Sequence, residues 1–213
     1  MAMRLVYLSL FCFATFLPFN TKAQNKTDQF LFPEFKTGVI KYKAGQRKQA
    51  KLNYNKLTEE MVFDNNGVLL ALIDDPQIDT VYLNQKKFIP EGRYFFEVNT
   101  EAATPFFIQH RFAFIPPAKK VGYGGRSETS ATQSMSHLTE GGQIYNLQAT
   151  GDYKLWPANV LRLKTKNKYA EVANWKDLIA LMPEKKEQLK NLSKSQKIDF
   201  QNEEDFAKLL KQL

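Results

Sequence analysis

Residues 61–73 read MVFDNNGVLLALI, and this stretch decides the fold class. Two apolar runs flank residues 64–67, where Asn and Gly tolerate the positive φ that a tight hairpin turn requires. The pattern therefore predicts two antiparallel strands. Residues 68–73 are continuously apolar, which is typical of a strand covered on both faces. Such a strand favours a sandwich or a barrel-like body.

Similar short β-type runs lie on both sides of this hairpin. Residues 44–46 (AGQ) and 90–92 (PEG) have the composition of turns, and alternating or aromatic runs flank each of them. Residues 24–170 are accordingly predicted to form one β-rich domain. The fold class is α+β, mainly β, with an antiparallel sandwich or barrel-like body.

The run before the hairpin shows strand alternation. Leu52 and Tyr54 fall on one side of the predicted strand, and Lys51 and Asn53 fall on the other. Because successive side chains of a strand point to opposite faces, one face is predicted to be buried and the other solvated.

Residues 171–213 change to helical periodicity and are predicted to form a C-terminal subdomain packed on the sheet. Asn174 is a cap for a first helix, Pro183 ends it and opens a second, and Asn202 caps a third. The third helix carries an apolar stripe at i, i+3, i+4 spacing, formed by Phe206, Leu209 and Leu210. This stripe is predicted to dock on the sheet or on the preceding helices.

Residues 1–23 have the plan of a secretory signal peptide. Arg4 precedes an apolar run, and the small residues Thr21 and Ala23 predict cleavage before Gln24. The apolar run is too short for a confident spanning helix, so no transmembrane segment is expected after cleavage. The chain is therefore predicted to be exported, and to be periplasmic or associated with the envelope.

Cysteine content and net charge limit the kinds of site and partner that the protein can have. Cys12 is the only cysteine and lies in the predicted signal, so the mature chain is expected to lack disulfides and thiolate metal sites. Loss of Arg4 and Lys22 with the signal lowers the formal net charge from +8 to +6. A positive exported protein suits anionic surroundings, and the expected partner is an envelope protein or glycan rather than nucleic acid.

A Gly-, Ser- and Thr-rich stretch at residues 118–142 predicts a long loop, a common place for binding residues. Aromatic rings in and after it are candidates for stacking on a sugar or peptide, with an arginine for an anionic group. The candidate ligand-binding residues are Tyr123, Arg126, Tyr145 and Trp156. The alternative is that these rings cover one end of the β body.

Catalytic and metal motifs are missing from the sequence. His110 and His137 are the only imidazoles, and no His-x-x-x-His pair or acidic calcium loop occurs, so neither a metal nor a cofactor is predicted. Residues 203–205 are acidic, which suits the first turn of a helix. A hydrolase remains an alternative in which His137 or His110 activates a loop serine. Its candidate nucleophiles are Ser130, Ser134 and Ser136.

Alternation between residues 104 and 114 predicts that four side chains share one inward face: Ile108, His110, Phe112 and Phe114. A β body lined by Ile108, Phe112 and Phe114 would suit a small-ligand carrier. This carrier is a further alternative function.

Several stretches resemble exported Bacteroidota proteins of unknown activity. They are GVI at 38–40, LNYN at 52–55, EEMVF at 59–63, IDF at 198–200 and DFAKLL at 205–210. The resemblance implies an envelope location and no activity. In that phylum Asp-Thr followed by an apolar residue can mark O-glycosylation, and Asp79, Thr80 and Val81 match it.

These observations favour a non-catalytic binding or accessory protein of the cell envelope. Catalytic signatures are missing, while β surface and a long loop suit recognition.

Overall fold

The computed structural model describes residues 29–72, 75–115, 119–121, 125–127, 154–166 and 168–213. The strands are β1 (Lys36–Tyr42), β2 (Arg47–Asn55), β3 (Glu60–Asn65), β4 (Val68–Ala71), β5 (Ile78–Leu83), β6 (Lys86–Glu91), β7 (Tyr94–Asn99), β8 (Phe106–Gln109), β9 (Phe112–Ile115), β10 (Lys119–Val121), β11 (Gly125–Ser127), β12 (Lys154–Pro157), β13 (Val160–Lys164) and β14 (Tyr169–Glu171). The helices are α1 (Trp175–Leu181), a 3₁₀ turn (Pro183–Lys185), α2 (Lys186–Ser195) and α3 (Glu203–Leu210).

Ten strands form one antiparallel sheet in the order β14-β13-β8-β7-β6-β5-β1-β2-β3-β4. The sheet remains open, with β14 and β4 as its edges, and this agrees with a sandwich rather than a closed body. β9 pairs with β12, and β10 pairs with β11, in two small separate sheets. The predicted fold class, a mainly antiparallel β body followed by three short helices, is confirmed.

The predicted hairpin is confirmed between β3 and β4. Asn66 and Gly67 both have positive φ, 56° and 88°, and the Gly67 amide donates to Oδ1 of Asp64 at 2.6 Å. Gly45 also has positive φ and turns β1 into β2 as predicted. The third turn comes slightly later than predicted, because residues 90–91 still belong to β6.

The prediction that residues 68–73 are covered on both faces was wrong. β4 is the last strand of the sheet, and Val68 is 42% exposed while the rest of the strand is only partly buried. An apolar run shows that its side chains favour burial, but it does not show which elements pack on the strand. After the hairpin turn, this run forms the edge strand β4.

Asn53 corrects a second prediction, because this polar side chain is buried rather than solvated. Its Oδ1 accepts from the amides of Phe32 and Tyr54, at 3.1 and 2.8 Å, and its Nδ2 donates to the Phe32 carbonyl at 2.8 Å. The segment before β1 therefore covers the end of this face at Asn53, while Lys51 on the same face is exposed as predicted.

The sheet folds back on itself, so that strands distant in its order face each other. Tyr54 of β2 stacks on Phe88 of β6 with ring centroids 5.8 Å apart. Around this contact lies the core of the β body, formed by Ile40, Leu52, Tyr54, Met61, Ile78, Val81, Leu83, Phe88 and Phe95.

A second core joins the helices to β8 and β13. It contains Phe106, Ile108, Leu161, Leu163, Leu178, Leu189, Phe206, Leu209 and Leu210. The predicted docking of the α3 stripe is thus confirmed, since its three apolar residues are buried against the sheet and the other helices.

The helix boundaries follow the predicted caps. Oδ1 of Asn174 accepts from the Asp177 amide at 3.0 Å, and Oδ1 of Asn202 accepts from the Glu204 amide at 2.9 Å. Pro183 opens the 3₁₀ turn that leads into α2. Of the helices in the described ranges, none has both the length and the apolar character needed to cross a membrane.

Candidate functional site

Four polar side chains, here called the inner cluster, meet where the sheet contacts α3: Lys86, Glu97, His110 and Glu203. Strand register brings the first three together. Glu97 of β7 pairs with Ile108 of β8 and with Phe88 of β6, so His110 and Lys86 lie diagonally beside it, each two residues from its direct partner.

The inner cluster is organised around the Glu97 carboxylate, which is 5% exposed. Its Oε2 lies 2.7 Å from Nε2 of His110, which is 4% exposed, and its Oε1 accepts from Nζ of Lys86 at 2.6 Å. The Tyr54 ring and the imidazole are nearly perpendicular, with ring centroids 5.9 Å apart. Both oxygens of this buried carboxylate therefore have partners.

Electrostatics keep Glu97 ionised. Burial alone raises the pKa of Glu97, but hydrogen bonds and charge from His110 and Lys86 outweigh it, and the net pKa lies below its usual value. The cluster is therefore a charged group inside the protein rather than a neutral one.

Glu203 completes the cluster from the first turn of α3. One of its carboxylate oxygens, the Glu97 oxygen and the His110 nitrogen all lie within 4.8 Å of one another. The Oε2 atom of Glu203 is buried and has no hydrogen-bond partner in the described part of the chain. Glu203 is thus more than a helix-dipole residue, which is all that the sequence predicted for it.

Glu97, His110 and Glu203 are ligand types that could hold a metal ion. The sequence predicted no metal site, because recognisable metal motifs place their ligands at short local spacing. These three residues come from β7, the end of β8 and the start of α3, so no local pattern could have indicated them. The only partial signal was the inward-pointing prediction for His110, which its burial confirms.

A second polar chain, here called the outer cluster, runs from Glu59 through Gln109 to Arg162. Nε and Nη2 of Arg162 donate to Oε1 of Gln109 at 3.0 and 2.6 Å, and Gln109 donates onward to the Glu59 carboxylate. The Arg162 guanidinium lies over the Phe96 ring at 5.2 Å, and burial lowers its pKa. Each of these groups has a hydrogen-bond partner, and the outer cluster therefore links β8 to β13.

The predicted ligand-binding residues are not brought together by the described part of the protein. Trp156 lies in β12, opposite Ala113, and is 36% exposed. Arg126 lies in β11, which belongs to a different small sheet. Tyr123 and Tyr145 lie outside the described residues. The role of these four residues stays a prediction.

The hydrolase alternative stays a prediction. Among the described residues, the imidazole of His110 bonds to the Glu97 carboxylate. The remaining candidates, Ser130, Ser134, Ser136 and His137, lie outside the described residues.

The continuous alternation predicted between residues 104 and 114 is interrupted, because β8 ends at Gln109 and β9 begins at Phe112. The chain leaves the large sheet at His110, and β9 pairs with β12 instead of continuing β8. Ile108 is fully buried in the core with Phe106, so it packs rather than lining an open space. A cavity of about 70 Å³ beside Arg111 and Phe200 is smaller than the ~300 Å³ at which ligand pockets usually begin.

Thr80, the acceptor in the predicted glycosylation motif, is 3% exposed. Its hydroxyl donates to Oδ2 of Asp79 at 3.2 Å, and the same carboxylate oxygen bonds to Lys41 at 2.7 Å. Because the hydroxyl is buried in β5, it is inaccessible to modification in the folded chain.

No family model, curated protein or solved structure matches the chain. The function of the site is therefore inferred from its geometry.

Proposed function

We propose that this chain is an exported, non-catalytic binding protein of the cell envelope that pairs with an extended segment of a partner protein along β4. The observation that carries the proposal is the edge position of an apolar strand. In the described ranges no strand pairs with the outer side of β4, so its outward backbone N–H and C=O groups have no ladder partner there.

The composition of β4 favours pairing with another strand, because β4 lacks the residues that usually prevent such pairing at an edge. Natural edge strands usually carry Lys, Pro or a bulge that discourages pairing, because a bare edge is a template for another strand. Residues 68–72 read VLLAL and contain neither a charge nor a proline. An edge of this kind suits β-strand addition, in which backbone hydrogen bonds supply affinity and alternate side chains supply specificity.

The same geometry supports a protein rather than a glycan as the partner. Only an extended polypeptide offers N–H and C=O groups at the spacing of a strand. The sequence left open whether the partner is a protein or a glycan, and the edge of the sheet favours a protein.

Site-specific photo-cross-linking in the native host tests this proposal. A photoreactive phenylalanine at Val68 is expected to give one discrete adduct with another protein. The same residue at Tyr82, which is 43% exposed but lies on the central strand β5, is the matched control and is expected to give none.

Amide hydrogen exchange then tests the mode of binding. A peptide covering the cross-linked segment of the partner is expected to slow exchange at residues 68–71. Equal adducts from both positions, an adduct formed only with a second copy of this chain, or unchanged exchange at β4 would each overturn the proposal.

Export is part of the same proposal and rests on residues 1–23. N-terminal sequencing of the protein from the envelope fraction is expected to begin at Gln24. Recovery from the cytoplasm with Met1 or Ala2 as the first residue would contradict export.

A further inference from the structure

We propose that Glu97, His110 and Glu203 bind one divalent transition-metal ion that ties α3 to the sheet. Two carboxylates and one imidazole form a donor set that suits Zn²⁺, and also Mn²⁺. This inference does not depend on partner binding at β4.

The distances are close to those of a metal site. Zinc bonds of about 2.0–2.2 Å in tetrahedral geometry put ligand atoms roughly 3.3 Å apart. The three donor atoms here lie within 4.8 Å of one another, and Nε2 of His110 lies 2.7 Å from Oε2 of Glu97. Small side-chain rotations around a central ion would bring all three into range and leave a fourth position for water.

The buried oxygen of Glu203 is the observation that points to a ligand. Oε2 has no hydrogen-bond partner in the described residues, although it is shielded from solvent. A buried acceptor without a partner is unfavourable, and a charged one more so. A cation bound beside the Glu203 carboxylate supplies a partner.

Charge leads to the same conclusion. The carboxylates of Glu97 and Glu203 lie close together, and the ammonium of Lys86 bonds to Glu97. A divalent cation between the two carboxylates offsets their mutual repulsion. Lys86 keeps the other oxygen of Glu97, which is the kind of outer contact that orients a ligating carboxylate.

Burial gives the ion a structural role. Glu97 lies in β7, His110 directly follows β8 and Glu203 begins α3, so an ion would link the sheet to a helix that otherwise meets it largely through apolar packing. Binding to the folded chain alone raises its stability. Such a tie suits a mature chain that is predicted to have no cysteine for a disulfide.

Zinc titration of the mature chain, residues 24–213, after removal of metal with EDTA tests the proposal. Calorimetry is expected to show one Zn²⁺ per chain, and thermal unfolding is expected to shift upward with Zn²⁺. Glu203→Gln is expected to weaken zinc binding at least tenfold. Glu204→Gln is the matched control, because Glu204 lies in the same turn with its side chain 78% exposed, and it is expected to bind zinc as the wild type does.

Two further readings separate a metal site from a simple ion-pair cluster. Zinc affinity is expected to fall as the pH is lowered, because protein ligands bind a metal ion in their deprotonated forms. His110→Gln is expected to abolish the stoichiometric site, and circular dichroism in EDTA checks that each variant folds. Absence of one-to-one binding to the wild type, or equal affinity in Glu203→Gln and Glu204→Gln, would overturn the proposal; the second result holds even if His110→Gln does not fold.

Discussion

The two halves of the large sheet differ in how far other elements cover their apolar strands. In the half that ends at β14, β8 and β13 are covered by α1–α3, and Phe106 and Leu161 are fully buried. At the other edge β4 is comparably apolar, but Val68 remains 42% exposed. This difference shows that an apolar strand stabilises the fold where another element covers it. Where no element covers it, the strand offers a surface on which another strand can pair.

Charge is also distributed unequally between these regions. The inner cluster lies where the helices meet the sheet, and each of its sheet residues is tied to Glu97. The described residues of β4 are apolar. Substitutions in the covered region are therefore expected to change folding stability, and substitutions at β4 are expected to change binding.

The largest effect is expected from Phe206→Ala. Phe206 is fully buried and its ring meets Phe106 edge-on, with centroids 5.1 Å apart. The cavity is expected to cost about 4 kcal/mol of unfolding free energy, measured by urea denaturation. Lys208→Ala on the exposed side of α3 is the control, with a change of less than about 0.5 kcal/mol. A loss below about 1 kcal/mol for Phe206→Ala would show that the covered region does not depend on α3.

A smaller and pH-dependent loss is expected from Glu97→Gln. The variant keeps the shape of the side chain but loses its charge, which is expected to cost about 2 kcal/mol near neutral pH in EDTA. Because the folded-state pKa of Glu97 is lowered, its ionised form stabilises the fold above the unfolded-state pKa of about 4.3. That contribution disappears as the pH falls through the folded-state pKa.

Urea denaturation from pH 7 to pH 3 measures this dependence. The two stability curves are expected to converge in acid. A constant difference between wild type and Glu97→Gln across the whole range would contradict the lowered pKa.

Asn202→Ala tests how much the start of α3 contributes. The side chain accepts from the amides of Glu204 and Asp205, and loss of such a cap costs about 1 kcal/mol. Asn202→Asp retains an acceptor and is expected to keep nearly all of the stability. Equal losses in both variants would indicate that the cap does not act through this hydrogen bond.

The smallest effect on stability is expected at the open edge. Val68→Lys puts a charge on an exposed edge residue and is expected to change the unfolding free energy by less than about 0.5 kcal/mol. Its affinity for the partner segment, measured by calorimetry, is expected to fall at least tenfold, since an edge lysine discourages strand pairing. Tyr82→Lys, on β5, is expected to leave that affinity unchanged, and an equal fall in both variants would remove β4 from the interface.

Local features of the fold were accessible to sequence reasoning because short-range chemistry sets them. The turn at Asn66 and Gly67 and the helix starts after Asn174 and Asn202 each need only a few neighbouring residues. The periodicity of α3 likewise indicated its buried side, and these predictions are confirmed.

The errors share one cause, which is that they concern contacts between segments far apart in the chain. Alternation assigned Asn53 to a wet face, because nothing in the strand shows that residues before β1 cover it. Continuous hydrophobicity predicted that both faces of residues 68–73 are covered, because composition does not show which elements pack on a strand.

The sequence by itself determined a mainly antiparallel β body, three short helices of which two begin at an asparagine cap, and the inward position of His110. These follow from backbone preferences and from the period of apolar residues. Only the tertiary structure decided that β4 is an edge and that Glu203 meets Glu97 and His110. The physical reason is that strand order and helix docking are fixed by the packing of the whole chain, which places side chains together irrespective of their separation in sequence.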